Sequence, residues 1–524
     1  MIRRHLGGGS WTVRRTAAVV SVLLLGGCTV GPNFHSPGWA NPVSWFSGRG
    51  TEPSVPSEPI SQPIEVDWWQ IFHDPRLTLL ERQVASDNLD VQTATMRVAE
   101  SRYQLGVTSA SLYPFVNGNA SYEREKASNT GVFSLPTSAP NGASQGTPTA
   151  TQANGQYGNT AGGVSSANIA PFDIFQYGFD ASWELDIWGQ VRRQVESSRA
   201  SLQASEYARR GTLLSALAEV ARDYVQLRGY QDQLRIVEEN VRTAQQGVNL
   251  TRERAAAGVT TDLDVANATA QLNTTASQIP TLQQNIQAEI NALSLLLGMP
   301  PRALESELAT REPIPPVPRH VPIGFPSEIV RRRPDIREAE AQLHAATADV
   351  GVAVAAFYPQ VTLSGSFGFQ SLQFGNLWKW NARQYGVGPG VTLPIFQGGQ
   401  LRYTLQLRKA QEREAAVNYV RTVLQAWHDV DNALTAYERE QQRRLQLIGA
   451  VAQNRRALAL AQARYQQGVS DFLFVLTAEQ NLLSTEQQLA ISTTTVSTNL
   501  VALYLALGGG WQSFYPSDGV YRRP

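Results

Sequence analysis

Cysteine occurs once in 524 residues, as Cys28. A single thiol forms no intrachain disulfide and supplies no cysteine-based zinc site. Histidine is also scarce: His5, His35, His73, His320, His344 and His428 are the only six, and no pair shows the i, i+4 spacing with an intervening glutamate used in zinc hydrolysis. The chain lacks a glycine-rich phosphate loop ending in Lys-Ser or Lys-Thr, and it lacks a nucleophile-elbow serine. An excess of either charge is missing too, since 44 basic residues balance 44 acidic ones, which gives no footprint for nucleic acid. Arg331-Arg332-Arg333, the densest basic run, leads into Pro334 and Asp335 and reads as a solvated helix start. His344 with Asp349, and His428 with Asp429 and Asp431, read as solvated helix faces. These shortages lead us to expect no enzyme, no cofactor, no metal site and no nucleic-acid partner.

Long apolar runs are absent as well. Thr16 to Leu25 is far shorter than the roughly 20 apolar residues of a spanning helix. Behind Arg3, Arg4, Arg14 and Arg15 it reads as an export signal over 1–27. The signal ends in Leu25-Gly26-Gly27-Cys28, which resembles a bacterial lipobox and implies a Cys28 carrying N-palmitoyl and S-diacylglycerol groups. Thr29 stands where an aspartate would signal retention at the inner membrane, so the resemblance favours the outer one. Nothing after the signal is apolar enough for a transmembrane helix, so any membrane crossing must be made by strands.

Proline is missing between Gln190 and Ala257 and again between Pro394 and Pro516. About 65 helical residues at 1.5 Å each make a rod near 100 Å. Leu213, Leu217, Val220, Tyr224, Leu227, Leu234, Val241 and Val248 recur at three and four, with Gln231 filling one slot, as in a coiled-coil seam. Charge is absent between Lys126 and Asp173, which predicts a long polar loop over 127–172. The connection at 371–384 is shorter and carries Trp378 and Trp380.

What is present is a duplication. LYPFV (112–116) returns as FYPQV (357–361), RAAAGVTTDLDV (254–265) as RYQQGVSDFLFV (464–475), and ALSLLLG (292–298) as ALYLALG (502–508). We therefore predict a lipid-anchored leash over 28–63 and a first repeat over 64–299. Its strands fall near 113–124 and 174–187, and its helical hairpin at 190–298. A proline-rich linker over 300–326 precedes a second repeat over 327–508, with strands near 358–370 and 384–396 and a hairpin at 398–507. A tail covers 509–524. The strands alternate with period two. Tyr177, Phe179, Ala181, Trp183, Leu185 and Ile187 oppose Asp180, Ser182, Glu184 and Asp186. Segments of about ten alternating residues with aromatics near the ends suit a transmembrane β-barrel, although a soluble half-buried sheet alternates equally well.

DWWQIFHDPRLTLLERQVASDNLDVQTA, FPSEIVRRRPDIREAEAQLHAATADVGVAVAAFYPQVTLSGSFG and LPIFQGGQLR, together with CTVGPNF, resemble the TolC-type outer-membrane efflux lipoproteins, the exit ducts of RND-type tripartite pumps. The resemblance covers nearly the whole chain from Cys28 to about Gly508. It implies a mixed α and β membrane protein, internally duplicated. In such a homotrimer each protomer gives four strands to one barrel and its long helices to a coiled-coil periplasmic tunnel. Implied partners are a periplasmic adaptor, an inner-membrane RND-type pump and outer-membrane lipid. Four strands cannot close a barrel alone, and only closed barrels span membranes, so the residues agree.

Several residues become candidates on this basis. Asp180, Glu184 and Asp186 would be lumen-facing acids that set permeation selectivity. Gly258, Val259, Gly468 and Val469 mark hairpin tips for adaptor contact or gating. The resemblance places the constriction on the helix after the second tip, where Leu473, Thr477 and Gln480 share a face. Close drug-efflux relatives carry Asp and Arg where this chain has Thr477 and Gln480, so an apolar constriction at Leu473 is expected instead of a charge ring. A passive export duct is the leading reading. A duct for type I protein secretion or metal export is the alternative within transport, and a non-pore coiled-coil lipoprotein is the alternative outside it.

Overall fold

The computed structural model describes residues 29–38, 45, 55–126 and 171–515. Cys28 and the signal lie outside them, as do most of the uncharged loop and the end of the tail. The chain divides into two compact units, one built mainly from 109–192 and 355–399, the other from 31–108, 193–354 and 400 onward.

Two sheets occur among the described residues. In the smaller, β1 (Glu58–Ile60) pairs in parallel with β4 (His320–Pro322). The larger belongs to the first unit. It is antiparallel, in the order β2 (Phe115–Glu125), β3 (Phe172–Leu185), β5 (Gln360–Ser371), β6 (Arg383–Thr392). Its register puts like residues side by side. One row runs Val116, Ala181, Gly365, Val387, and another Gly118, Phe179, Phe367, Tyr385. Between them lies Asn117, Asp180, Ser366, Gly386. Because side chains alternate faces along a strand, the alternation seen in each strand becomes one apolar and one polar face of the whole sheet. Aromatic pairs tie the apolar face together, with Tyr177 stacked on Phe369 at 5.2 Å and close to Trp378 at 5.1 Å.

Strand ends differ from expectation. β6 stops at Thr392, short of 396, because Pro394 offers no N–H to a ladder and biases the residue before it. β3 stops at Leu185, and β2 begins only after Pro114.

In the second unit, helices α1 (Pro75–Asp87) and α2 (Leu89–Ala110) lead the first repeat. Then come α3 (Gln190–Ala256), α4 (Asp262–Ala276) and α5 (Gln278–Leu296). A four-residue α6 (Glu305–Leu308) lies in the linker. The second repeat answers with α7 (Pro326–Arg332), α8 (Pro334–Ala355), α9 (Gln400–Gln466) and α10 (Phe472–Leu507). α2 and α8 both have 22 residues, and α3 and α9 both have 67. From Gln190 and Gln400 onward, equivalent positions lie 210 apart. All four helix ends at Gly258, Gly298, Gly468 and Gly508 close through a left-handed glycine, with φ of 72°, 67°, 75° and 70°. At each, the glycine N–H donates three residues back and the next N–H five back, for example Gly258 to Ala255 and Val259 to Arg254. These are Schellman caps, which need a residue without a Cβ.

The seam residues of α3 are buried except for half-buried Val241, with Leu213, Leu217, Val220, Tyr224 and Leu227 fully inaccessible. Gln231 interrupts them for a reason. Its Nε2 donates to Leu308 O at 2.8 Å and its Oε1 accepts from Arg228 Nη1 at 2.8 Å. Arg228 in turn donates to Thr310 O at 2.8 Å and to Glu312 at 2.7 Å. Two buried polar side chains thus hold the linker onto the long helix, satisfying backbone carbonyls that a proline-rich segment cannot pair by itself.

Three expectations need correction. The return limb of the first hairpin is not continuous: it breaks at Ser277, because Pro280 has no N–H for the Ala276 carbonyl. The second repeat has Ala490 at the equivalent place, and α10 runs unbroken. Second, α10 is long and apolar enough to cross a membrane, with a mean hydropathy of 1.4 over its most apolar window, contrary to the sequence reading. Over half of that window is buried, with Leu500, Leu503, Tyr504 and Leu507 in the core of this unit. Third, Arg333 is no solvated helix-start residue. It pairs with Asp335 at 2.7 Å and Asp429 at 3.2 Å, and it donates to Ala506 O at 3.0 Å, capping α10. His344 likewise meets Glu196 at 3.0 Å and stacks on Phe34 at 4.5 Å. The leash is also held in place: it contributes the extended strand β1, and buried Ser57 accepts from Tyr437 Oη at 2.7 Å.

Candidate channel lining and gate

The three candidate acids do not form one set. Asp180 sits mid-strand on the polar face and accepts from Asn119 Nδ2 at 2.5 Å. Glu184 shares that face, opposite Thr362. Asp186 lies beyond the end of β3. Its carboxylate accepts from the backbone N–H groups of Val191 and Arg192 at 3.1 and 2.9 Å, and from Arg192 Nε at 3.1 Å. It caps the start of α3, where a carboxylate satisfies free N–H groups and the positive helix end. Of the three candidates, Asp180 and Glu184 remain as strand acids on the polar face.

Both tips are built alike and differ in chemistry. Gly258 and Gly468 turn the chain, leaving Val259 and Val469 exposed at 62% and 61%. The first tip continues into Asp262 and Asp264, with Thr260 donating to Asp264; the second continues into Phe472 and Phe474. Arg254, missed by sequence reasoning, joins them. Its Nη1 donates to the Tyr465 and Gln466 carbonyls at 2.8 and 3.2 Å, and its guanidinium lies 4.6 Å from the centre of the Tyr465 ring. The signal was available in the matched arginines that begin RAAAGV and RYQQGV.

Leu473, Thr477 and Gln480 are brought onto one exposed face of α10, with Leu473 63% exposed. Their bonds separate them. Thr477 Oγ1 donates to Leu473 O at 2.8 Å, within its own helix. Gln480 Nε2 donates to Gln271 Oε1 at 2.9 Å and ties α10 to α4. On the opposite face, Phe472, Val475 and Leu482 pack with Val248 and Ala268. Glu479 is buried there beside Phe472 and Gly247. Burial pushes its carboxyl up to about 7, partly opposed by a hydrogen bond from Gln462.

A sheet with one apolar face and, among the described residues, two unpaired edges, together with paired long helices ending in glycine tips, defines a subunit of an outer-membrane channel. The chain belongs to the outer membrane efflux protein family, whose model matches residues 80–299 and 325–509. It is 30% identical over 496 residues to the probable efflux pump outer membrane protein TtgC of Pseudomonas putida, covering 94% of each chain. It is 31% identical over 450 residues to the pyoverdine export outer membrane protein OpmQ of the same species, covering 86% of this chain and 89% of that one. Among solved structures, the outer-membrane channel OprN superposes with a TM-score of 0.81 at 33% identity, over 93% of this chain and 100% of that one. The fold is that of the TolC-like channels, and the protein is an outer-membrane component of an efflux system.

Proposed function

We propose that three copies of the chain form a passive exit duct that takes small molecules from an RND-type inner-membrane pump and a periplasmic adaptor and releases them outside. The observation that carries this reading is the four-stranded sheet, apolar on one face, polar on the other and unpaired at β2 and β6 among the described residues. Such a sheet is stable in lipid only when its edges are closed, and head-to-tail copies close it into a ring. A non-pore coiled-coil scaffold has no use for that face. In this reading Asp180 and Glu184 line the barrel, the leash and an acylated Cys28 add a second anchor, and the tips Gly258–Val259 and Gly468–Val469 meet the adaptor. Leu473 forms the resting constriction, because three apolar side chains facing one axis resist wetting. Small-molecule cargo is favoured by the relatives, whose names give efflux-pump and pyoverdine-export roles. The test is reconstitution. Purified protein should migrate as a heat-sensitive trimer on semi-native gels and conduct ions in planar bilayers. Monomers without conductance would end the reading.

A further inference from the structure

Arg254 secures α3 of the first repeat to the C-terminus of α9 in the second. The same position in the second repeat, 210 residues on, is Arg464. Arg464 is exposed; its carbonyl accepts from Val469 N–H at 3.1 Å, but its guanidinium makes no hydrogen bond or ion pair among the described residues. The sheet order fixes a direction: the first repeat's β3 hands on to the second repeat's β5, and only β6 and β2 remain to join one copy to the next. In a closed ring, therefore, what the first repeat does to the second within one chain, the second does to the first repeat of the next chain.

We propose that Arg464 caps the C-terminal carbonyls of α3, at Ala255 and Ala256, in the neighbouring copy. This rests on the trimer proposed above. The two glycine tips agree with it: an added Cβ at Gly468 would lie 3.6 Å from Arg254 Nη2, whereas at Gly258 it would meet nothing within 4 Å. A guanidinium suits the target, since the last carbonyls of a 67-residue helix are acceptors at the negative end of its dipole. The two seams are nonetheless unequal. Arg254 lies over the buried Tyr465 ring, which is braced edge-on by Phe472 at 5.3 Å; the residue equivalent to Tyr465 in the first repeat is Ala255, which offers no ring. The seam within a chain carries hydrogen bonds and a cation–π contact, and the seam between chains carries hydrogen bonds alone. The tunnel mouth therefore parts between protomers first.

Cross-linking and conductance test this on the full-length trimer. With a short bis-maleimide, Arg464→Cys combined with Ala256→Cys should give covalent dimers and trimers on denaturing gels, while Arg254→Cys with Gln466→Cys should link within one chain and leave the mass unchanged. Each single variant serves as control. In planar bilayers, Arg464→Ala should raise the open fraction about two- to fivefold, the scale of one cationic helix cap, and Arg464→Lys should restore part of it. Ala255→Tyr, which supplies the missing ring, should lower the open fraction, and should do so only when Arg464 is present. Intact trimers that yield no covalent multimers, or an Ala255→Tyr effect that persists without Arg464, would overturn the clamp alone. Monomers by mass photometry would overturn the trimer and the clamp together.

Discussion

Gly178 and Gly368 lie opposite each other in the register of β3 and β5, and a Cβ on either would sit 2.6 Å from a carbonyl oxygen of the other strand, Phe367 O or Tyr177 O respectively. The two repeats meet at this pairing. Gly178→Ala forces the strands apart there and should cost about 1–3 kcal/mol, as overpacking does. Semi-native electrophoresis should show less heat-resistant trimer. Gly118→Ala, whose Cβ would make ordinary contacts with the Phe179 ring at 3.5 Å and Gly178 O at 4.0 Å, should change little.

The rows of the sheet make a second expectation. Ala181 belongs to the apolar row and Ser182 to the polar one. Ala181→Arg should cost about 2–4 kcal/mol near the bilayer midplane and impair assembly. Ser182→Arg should assemble and shift ion selectivity toward anions in reversal-potential measurements. The opposite ranking would mean that the polar face looks toward lipid.

At the gate, the three candidate side chains should separate. If Leu473 forms the constriction proposed above, Leu473→Ser should raise single-channel conductance and admit large antibiotics to cells. Thr477→Ala should do little, because its hydroxyl is engaged by its own helix. Gln480→Ala should fall between, since it frees α10 from Gln271 of α4. An unchanged conductance in assembled Leu473→Ser trimers would move the gate elsewhere.

Glu479 predicts pH dependence. Its carboxyl is raised from 4.5 to about 7, so the folded tip binds a proton that the unfolded chain releases. The stabilisation is fully present below about pH 4.5 and is lost as pH rises through about 7, a change of up to about 3 kcal/mol per chain. Tip opening, read as conductance, should rise between pH 5 and pH 8. Glu479→Gln should flatten that profile at the low-conductance level.

Cys28→Ser should abolish incorporation of a fatty-acid tracer that labels the wild type. Export should fall only modestly, because the barrel still holds the protein. Equal labelling of both proteins would remove the anchor from the reading.

The strands and rods were legible because their signals are local and periodic. Alternation from Tyr177 to Leu185 and the spacing from Leu213 to Val248 each lie within one element. The break at Ser277 was also legible, through Pro280, but the strong seam of the neighbouring rod obscured it. Long-range contacts were not legible. Arg333 looked solvated because its partners, Asp429 and the Ala506 carbonyl, lie 96 and 173 residues away. Asp186 kept the strand's alternation in sequence, yet the start of α3 claims its carboxylate. Arg254 and Tyr465 are 211 residues apart, and only the duplication links them.

The matched length of α3 and α9 has a consequence for how this family can vary. Both rods have 67 residues, although the loops before them differ greatly in length. One added heptad would extend a rod by about 10 Å. Added to α3 alone, it would carry Ala255 past the reach of any arginine, however well each helix folded. The outer loops are therefore free to drift one at a time, while the rods must lengthen or shorten in step, like the legs of a table.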